Sequence, residues 1–125
     1  MTAPLKILVV DDQEINLELA RCILQADGID VLCADGADGA RAALLNSLPD
    51  VILMDIQMPG TDGLDLTREI KSNPAYTHIP VIAFTAYAMH GDEARFMAAG
   101  CNGYISKPIE VGLFAAQVRA LARPS

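Results

Sequence analysis

Residues 49–60 read PDVILMDIQMPG, and this stretch decides the fold. Residues 51–54 form an apolar run without alternation, which is typical of a parallel strand buried on both faces. The run stops on a carboxylate, Asp55. In open α/β sheets, ligands bind beyond the carboxyl ends of the strands. The role of Asp55 therefore depends on what the other strands bring to the same edge.

Similar apolar runs recur along the chain and alternate with helical patterns. Strands are predicted at residues 5–10, 31–34, 51–54, 81–84 and 103–106. Helical patterns follow them at 15–26, 40–48, 64–72 and 92–99, and from Pro108 onward. This alternation predicts parallel strands joined by right-handed crossovers, with helices on both faces. The predicted fold is a doubly wound α/β sandwich.

Two of the helices carry patterns that make specific predictions. In the first helix, one face is shared by Ile15, Leu19, Cys22, Ile23 and Ala26, and Gly28 ends the helix. In the last helix, which Pro108 is predicted to open, the residues at helical spacing are Val111, Phe114, Val118 and Leu121.

Length, charge and cysteine content exclude several classes of function. The 125 residues suit one domain, expected to span 1–125 without an output domain. The net charge of −7 argues against binding nucleic acid or an anionic membrane surface. No apolar stretch approaches the about 18 residues of a membrane span. The three cysteines lack the spacing of a disulfide framework, so we expect buried or partly buried reduced thiols in a cytoplasmic protein.

Charged residues follow four of the five predicted strands. They are Asp11 and Asp12 after the first strand, Asp35 after the second, Asp55 after the third, and Lys107 after the fifth. If the first and third strands are neighbours, three carboxylates converge and repel one another. A hard cation such as Mg²⁺, or Mn²⁺ in its place, would offset that repulsion.

The same residues suggest phosphoryl chemistry. A carboxylate such as Asp55 can act as a nucleophile and form an aspartyl phosphate. Phosphoryl transfer needs mainly positioning and positive charge, which Mg²⁺ and Lys107 would supply. Thr85, after the fourth strand, offers a hydroxyl to a phosphoryl oxygen.

The motifs LVVDDQ, ILMDIQMPGTDG, AFTAYAM and YISKPI together resemble the response-regulator receiver domain of two-component signalling. The resemblance covers essentially the whole chain. It implies a flavodoxin-like (βα)₅ fold with strand order 2-1-3-4-5. Within that family, the sequence is similar to the single-domain regulators of the DivK type, which act in bacterial cell-cycle control. It is also similar to the receivers of hybrid histidine kinases and PleD-type cyclases.

The resemblance also implies roles for individual residues. Asp55 would be the phosphoacceptor, and Lys107 would bind a phosphoryl oxygen. Asp12 would hold Mg²⁺ directly and Asp11 largely through water. The backbone carbonyl of Gln57 would complete the protein ligands.

A second set of implied roles concerns switching. Thr85 would be the switch hydroxyl and Tyr104 the switch aromatic, and together they would remodel the face built from the fourth helix, fifth strand and fifth helix. The Lys107–Pro108 bond is expected to be cis. A bulky Tyr87 is expected to slow hydrolysis of the aspartyl phosphate.

The partners that the resemblance implies are proteins. A histidine kinase or histidine phosphotransfer protein would dock near the first helix and donate the phosphoryl group. A downstream protein would bind the switched face, and the chain would be a monomer or a weak phosphorylation-dependent dimer. It would be a signalling phosphoprotein that catalyses only its own phosphorylation and dephosphorylation, without turning over a free substrate.

Four alternatives stay open. A haloacid-dehalogenase-type phosphatase needs a second acid where this chain has Gln57. A flavin- or nucleotide-binding module needs a phosphate cradle after the first strand, where Asp11 and Asp12 stand. The others are a receiver excised from a hybrid kinase or cyclase regulator, and a pseudo-receiver that binds partners without phosphorylation.

Overall fold

The computed structural model describes residues 5–58, 61–86 and 92–122. The main sheet has five strands: β1 Lys6–Val10, β2 Asp30–Ala34, β3 Val51–Asp55, β4 Val81–Thr85 and β5 Gly103–Ser106. The helices between and after them are α1 Glu14–Ala26, α2 Ala37–Asn46, α3 Gly63–Ser72, α4 Asp92–Ala99 and α5 Phe114–Ala122. A short antiparallel ribbon, Gln57–Met58 with Thr61–Asp62, follows β3.

The strands of the main sheet are all parallel and lie in the order β2-β1-β3-β4-β5. This confirms the predicted doubly wound, flavodoxin-like fold. Val10 at the end of β1 pairs with Met54 in β3, and Asp55 pairs with Phe84 in β4. The carboxyl ends of β1 and β3 are therefore neighbours, and the residues that follow them meet at one edge.

The core has two layers, one on each face of the sheet. Leu8 and Met54 point into the layer covered by α2, α3 and α4, whereas Val9 and Leu53 point into the layer covered by α1 and α5. Successive strand residues face opposite sides. Because both sides are covered, the three central strands β1, β3 and β4 are buried and largely apolar without alternation, as the sequence predicts.

Most of the apolar residues predicted to share one face of α1 lie at the surface and not in the core. Ile15 and Leu19 are 75% and 38% exposed. Cys22 and Ala26 are also exposed, and Ile23 is only partly buried. The residues of α1 that are fully buried are Ala20 and Leu24. Since Ala20 has a small side chain, it lets the helix lie close to the sheet, and the larger apolar residues beside it remain at the surface.

Two further expectations are corrected. The last helix begins at Phe114 and not at Pro108, because Leu113 N and Phe114 N both donate to the carbonyl of Glu110 in a turn that precedes it. Val111 is accordingly exposed.

The cysteines also differ from expectation. Cys101 is buried, but Cys22 and Cys33 are exposed free thiols. Cys33 lies on β2, an edge strand of the sheet, where one side of the strand lacks a neighbour. In the described part of the chain, no helix has the length and apolar character that crossing a membrane requires.

Candidate functional site

The site forms where the carboxyl ends of β1, β3 and β5 converge. Asp11 follows β1, and its backbone N–H donates to Ala34 O at the end of β2. Asp55 is the last residue of β3. Lys107 follows β5, and its backbone N–H donates to Thr85 O at 2.8 Å. Backbone bonds between neighbouring strand ends thus hold all three residues at one edge of the sheet.

Asp11 and Asp55 adopt the same local arrangement. Oδ1 of Asp11 accepts from Gln13 N at 2.9 Å, and Oδ1 of Asp55 accepts from Gln57 N at 3.0 Å. Each side chain bonds the backbone two residues on, as Asp commonly does in turns. Both side chains are buried, with relative exposures of 0% and 1%. The second oxygen of each carboxylate therefore has a fixed position.

The donor set fits a hard divalent cation. Asp11, Asp12 and Asp55 each present a carboxylate oxygen, and these atoms lie within 4.8 Å of one another. Among the described residues, the buried Oδ2 atoms of Asp11 and Asp55 have no hydrogen-bond partner. Asp11 Oδ2 still has the Lys107 ammonium 3.3 Å away as an ion-pair partner. Because buried polar atoms are normally satisfied, the missing hydrogen bonds, above all at Asp55 Oδ2, indicate room for a ligand. Oxygen donors with access from solvent through the exposed Asp12 suit Mg²⁺, which keeps several waters.

Lys107 supplies the positive charge of the site. Its Nζ lies 3.3 Å from Asp11 Oδ2 and 3.3 Å from Asp55 Oδ1. The side chain is 19% exposed. On another side, Nζ lies 5.0 Å from the centroid of the Phe84 ring. One ammonium group cannot neutralise three carboxylates, and an excess of negative charge remains.

Burial raises the pKa of Asp55 to about 6. The N–H of Gln57 opposes this rise, the neighbouring charge of Asp11 adds to it, and Lys107 opposes it. The ionised form of Asp55 therefore costs free energy in the folded protein, because desolvation disfavours the charge. A cation or an electrophile at this carboxylate would relieve that cost.

Two other residues singled out from the sequence lie on the neighbouring strands β4 and β5. Thr85 is the last residue of β4, buried at 2% exposure, and pairs with Ser106 at the end of β5. Tyr104 lies on β5 and is 36% exposed. Its hydroxyl donates to Glu93 Oε1 on α4 at 2.6 Å. Tyr104 is thus turned outward, at the surface between β5 and α4.

The remaining predictions are placed as follows. Gln57 lies in the ribbon after β3 with an exposed side chain, so its contribution to the site comes through its backbone. The Lys107–Pro108 bond is cis, as expected. Tyr87 lies outside the described residues.

Two residues of the site escaped the sequence analysis. The first is Gly63, where a Cβ atom would lie 2.2 Å from Asp55 O. The sequence could have indicated Gly63, because a glycine directly before a helical pattern often marks a close approach of two backbones. The second is Phe84, beneath Lys107. An aromatic residue in a buried strand gives no sign by itself that a cation lies over it.

Residues 7–119 match the protein family described as the response regulator receiver domain. The chain is 40% identical over 117 residues to the polar-differentiation response regulator DivK of Brucella anthropi, covering 94% of this chain and 95% of that protein. The DivK protein of Brucella ovis is 40% identical over 114 residues, which are 91% of this chain and 93% of the relative.

Solved structures with the same fold include a receiver domain. The chemotaxis protein CheY4 of Vibrio cholerae has a TM-score of 0.90 at 24% identity, over 95% of this chain and 99% of that chain, and at this identity the likeness shows the fold alone. The receiver domain of the sensor histidine kinase PA1611 from Pseudomonas aeruginosa has a TM-score of 0.84 at 30% identity, over 96% and 98% of the two chains. That domain was solved with a magnesium ion coordinated in its active-site cleft.

Proposed function

This chain belongs to the response regulator receiver family, and we propose that it accepts a phosphoryl group on Asp55 from a phosphohistidine and switches a protein-binding face in response. The observation that carries the proposal is the state of Asp55 itself. The carboxylate is buried, one oxygen has no hydrogen-bond partner among the described residues, and a lysine and two further acids surround it. This combination suits a nucleophile whose product is held by cations.

The reaction exchanges one bond to phosphorus for another. The N–P bond of the donor phosphohistidine breaks, and its electron pair stays on the imidazole nitrogen, which takes a proton. An oxygen of Asp55 forms the new bond to phosphorus. With its pKa raised to about 6, Asp55 is still mostly ionised at pH 7 and able to attack.

The other residues of the site stabilise the transferring group. Lys107, already 3.3 Å from Asp55 Oδ1, would bind a phosphoryl oxygen. Asp12 and Asp55 would hold Mg²⁺ or Mn²⁺ directly, with Asp11 acting largely through water and Gln57 through its carbonyl. The bound ion supplies positive charge that offsets the charges of phosphoryl and carboxylate oxygens. The magnesium in the Pseudomonas receiver domain supports this assignment.

The switch would act through Thr85 and Tyr104. After phosphorylation, the Thr85 hydroxyl moves to a phosphoryl oxygen and Tyr104 turns inward, leaving Glu93. The phosphoryl group thereby biases an equilibrium between two states. The surface of α4, β5 and α5 changes, and a downstream protein binds it differently. The chain remains a monomer or forms a weak dimer when phosphorylated.

The donor would dock on the exposed apolar stripe of α1, formed by Ile15, Leu19 and Cys22. This helix begins at Glu14, two residues after Asp12, so its first turn borders the site. A histidine kinase or phosphotransfer protein seated there would bring its phosphohistidine to Asp55. Exposed apolar residues grouped on one helix are typical of a protein-binding surface.

The proposal extends to the biological role. The chain would act in the cytoplasm as a phosphoprotein that catalyses only its own phosphorylation and dephosphorylation. Its switched face would control other proteins in cell-cycle or developmental signalling. The DivK proteins, matched over 93–95% of their own length, support this role.

The test is phosphorylation by acetyl phosphate with Mg²⁺, followed by intact-mass measurement. The wild-type protein should gain one labile phosphoryl group, and Asp55→Asn should gain none. Asp35→Asn, at the exposed end of β2, is the matched control and should be phosphorylated normally. A folded wild-type protein that gains no phosphoryl group from several donors would leave the pseudo-receiver as the better explanation.

A further inference from the structure

The ammonium group of Lys107 lies between charged and aromatic partners. Two carboxylate oxygens, Asp11 Oδ2 and Asp55 Oδ1, are each 3.3 Å away. The ring of Phe84 has its centroid 5.0 Å from Nζ, with the cation over the ring. Phe84 pairs in register with Asp55 on the neighbouring strand, which puts its ring next to the phosphoacceptor. The ring thus forms part of the wall of the site.

The Phe84 ring is held rigidly. Its exposure is 1%, and it packs in the layer beneath α1 and α5. The Phe114 ring of α5 lies against it, with centroids 6.0 Å apart and an interplanar angle of 44°. Tilted aromatic pairs at this spacing attract one another. Burial within a central strand, and not the Phe114 contact alone, therefore fixes the ring surface that faces Lys107.

A cation over a ring face is attracted by the negative face of the π-system, most strongly where water is excluded. The carboxylate contacts of Lys107 change when Asp55 carries a phosphoryl group, because one of its partner oxygens becomes part of an acyl phosphate. The contact with Phe84 involves no group that reacts. It can therefore hold the ammonium in place before and after transfer.

We propose that Phe84 is a positioning residue, whose ring face holds the Lys107 ammonium where it meets the incoming phosphoryl oxygens. The inference rests on the proposed function, since that function has Lys107 bind a phosphoryl oxygen. Phe84 itself would not contact the phosphoryl group.

The test is the change Phe84→Leu, which keeps an apolar side chain and removes the π-face. Phosphorylation by acetyl phosphate and binding of beryllofluoride should weaken by about 3- to 10-fold, the range expected from loss of one cation–π contact. Mg²⁺ affinity should stay within about twofold, because the carboxylates are unchanged. A general loosening of the core would weaken Mg²⁺ binding as well.

Phe114→Leu is the matched control. It makes the same change in the same buried cluster. Of the two rings, Phe84 is the one with a cation over its face in the described part of the chain. Phe114→Leu should therefore lower stability but leave the rate of phosphorylation within about twofold. Equal rates for Phe84→Leu and Phe114→Leu would overturn the inference.

A double-mutant cycle with Lys107→Met tests the mechanism directly. Once the ammonium is gone, Phe84→Leu should have no further effect on the rate. An undiminished effect would show that Phe84 acts independently of Lys107. If the leucine variant does not fold, graded fluorination of the Phe84 ring weakens its negative face at nearly constant shape, and the rate should fall with each fluorine.

The outcomes separate this inference from the proposed function. A wild-type protein that is never phosphorylated contradicts the function. A wild-type protein that is phosphorylated at a rate insensitive to Phe84→Leu and to ring fluorination leaves the function standing and removes the role of Phe84.

Discussion

Gly63 Cα faces the backbone carbonyl of Asp55 so closely that a Cβ atom on Gly63 would lie 2.2 Å from Asp55 O and 2.8 Å from Ile56 Cα. Gly63 N also donates to Ile56 O at 3.2 Å. Asp62 accepts from Leu64 N and caps α3 at this point. The start of α3 is thus held directly against the strand end that carries the candidate phosphoacceptor.

Gly63→Ala should therefore disturb both stability and the site. The added methyl group meets backbone atoms, which cannot move aside cheaply, so we expect a loss of about 1–3 kcal/mol in the free energy of unfolding. Phosphorylation should slow as Asp55 shifts. Gly112→Ala is the control, because a Cβ there meets nothing within 4 Å. Urea unfolding of both variants checks this, and equal stabilities would contradict it.

Asp55→Asn should stabilise the protein in EDTA at neutral pH. Burial raises the pKa of folded Asp55 to about 6. Its unfolded pKa is about 3.9. Between these values the folded state binds more protons, so wild-type stability falls as the pH rises. The variant lacks this loss and should exceed the wild type by about 3 kcal/mol at pH 7.

The pH dependence separates this effect from other consequences of the change. The advantage of Asp55→Asn should shrink as the pH falls from about 7 toward about 4, where wild-type Asp55 becomes protonated. Urea unfolding at several pH values measures it. An advantage that is constant across this range would mean that ionisation of Asp55 is not its cause.

Mg²⁺ should raise the stability of the folded protein through Asp12 and its neighbours. At about 100 times the dissociation constant, a ligand that binds only the folded state adds about 2.7 kcal/mol. Asp12→Ala removes an exposed carboxylate and should abolish most of the rise in Tm. Asp35→Ala, outside the cluster, should keep it. A similar Mg²⁺ response in all three proteins would exclude this site.

Glu93→Gln should lower the pKa of Tyr104. The hydrogen bond from Tyr104 Oη to Glu93, together with the charge of that carboxylate, raises the pKa of the phenol above its usual value. Glutamine carries no charge, and its amide oxygen is a weaker acceptor than a carboxylate, so both contributions to the raised pKa decrease. NMR titration of the Tyr104 ring measures the pKa, with Glu110→Gln as an exposed control. A pKa unchanged by Glu93→Gln would mean that the two groups are not paired in solution.

Ile15→Ala should separate docking of the donor from chemistry. Transfer from a phosphorylated histidine phosphotransfer protein should fall by about 5- to 20-fold, as expected when a buried interface residue is truncated. The rate with acetyl phosphate should not change, because Ile15 does not belong to the site. Leu45→Ala, an exposed leucine on α2, should leave both rates unchanged. An equal loss of the transfer rate in both alanine variants would mean that the donor docks on another surface.

The sequence alone determined the fold and indicated the residues of the candidate site. The uninterrupted apolar strands and the alternation with helices are local patterns, and both predict a parallel sheet covered on two sides. The candidate residues were found because they lie at or directly after the ends of predicted strands, and the ends of parallel strands share one edge. They are Asp11, Asp12, Asp55, Thr85 and Lys107. A helix start was predicted wrongly where a turn precedes the helix, as at Phe114.

Only the tertiary structure decided which face of α1 is buried and what surrounds Lys107. Both depend on packing between residues distant in sequence, and local periodicity carries no information about it. Ile15 and Leu19 have the same helical spacing whether their face is buried or exposed. The face with Ala20 is the buried one, because its small side chain lets α1 lie against the sheet. Phe84 and Gly63 became part of the site only because β4 pairs with β3 and α3 starts against the end of β3, which brings a ring beneath an ammonium group and one backbone against another.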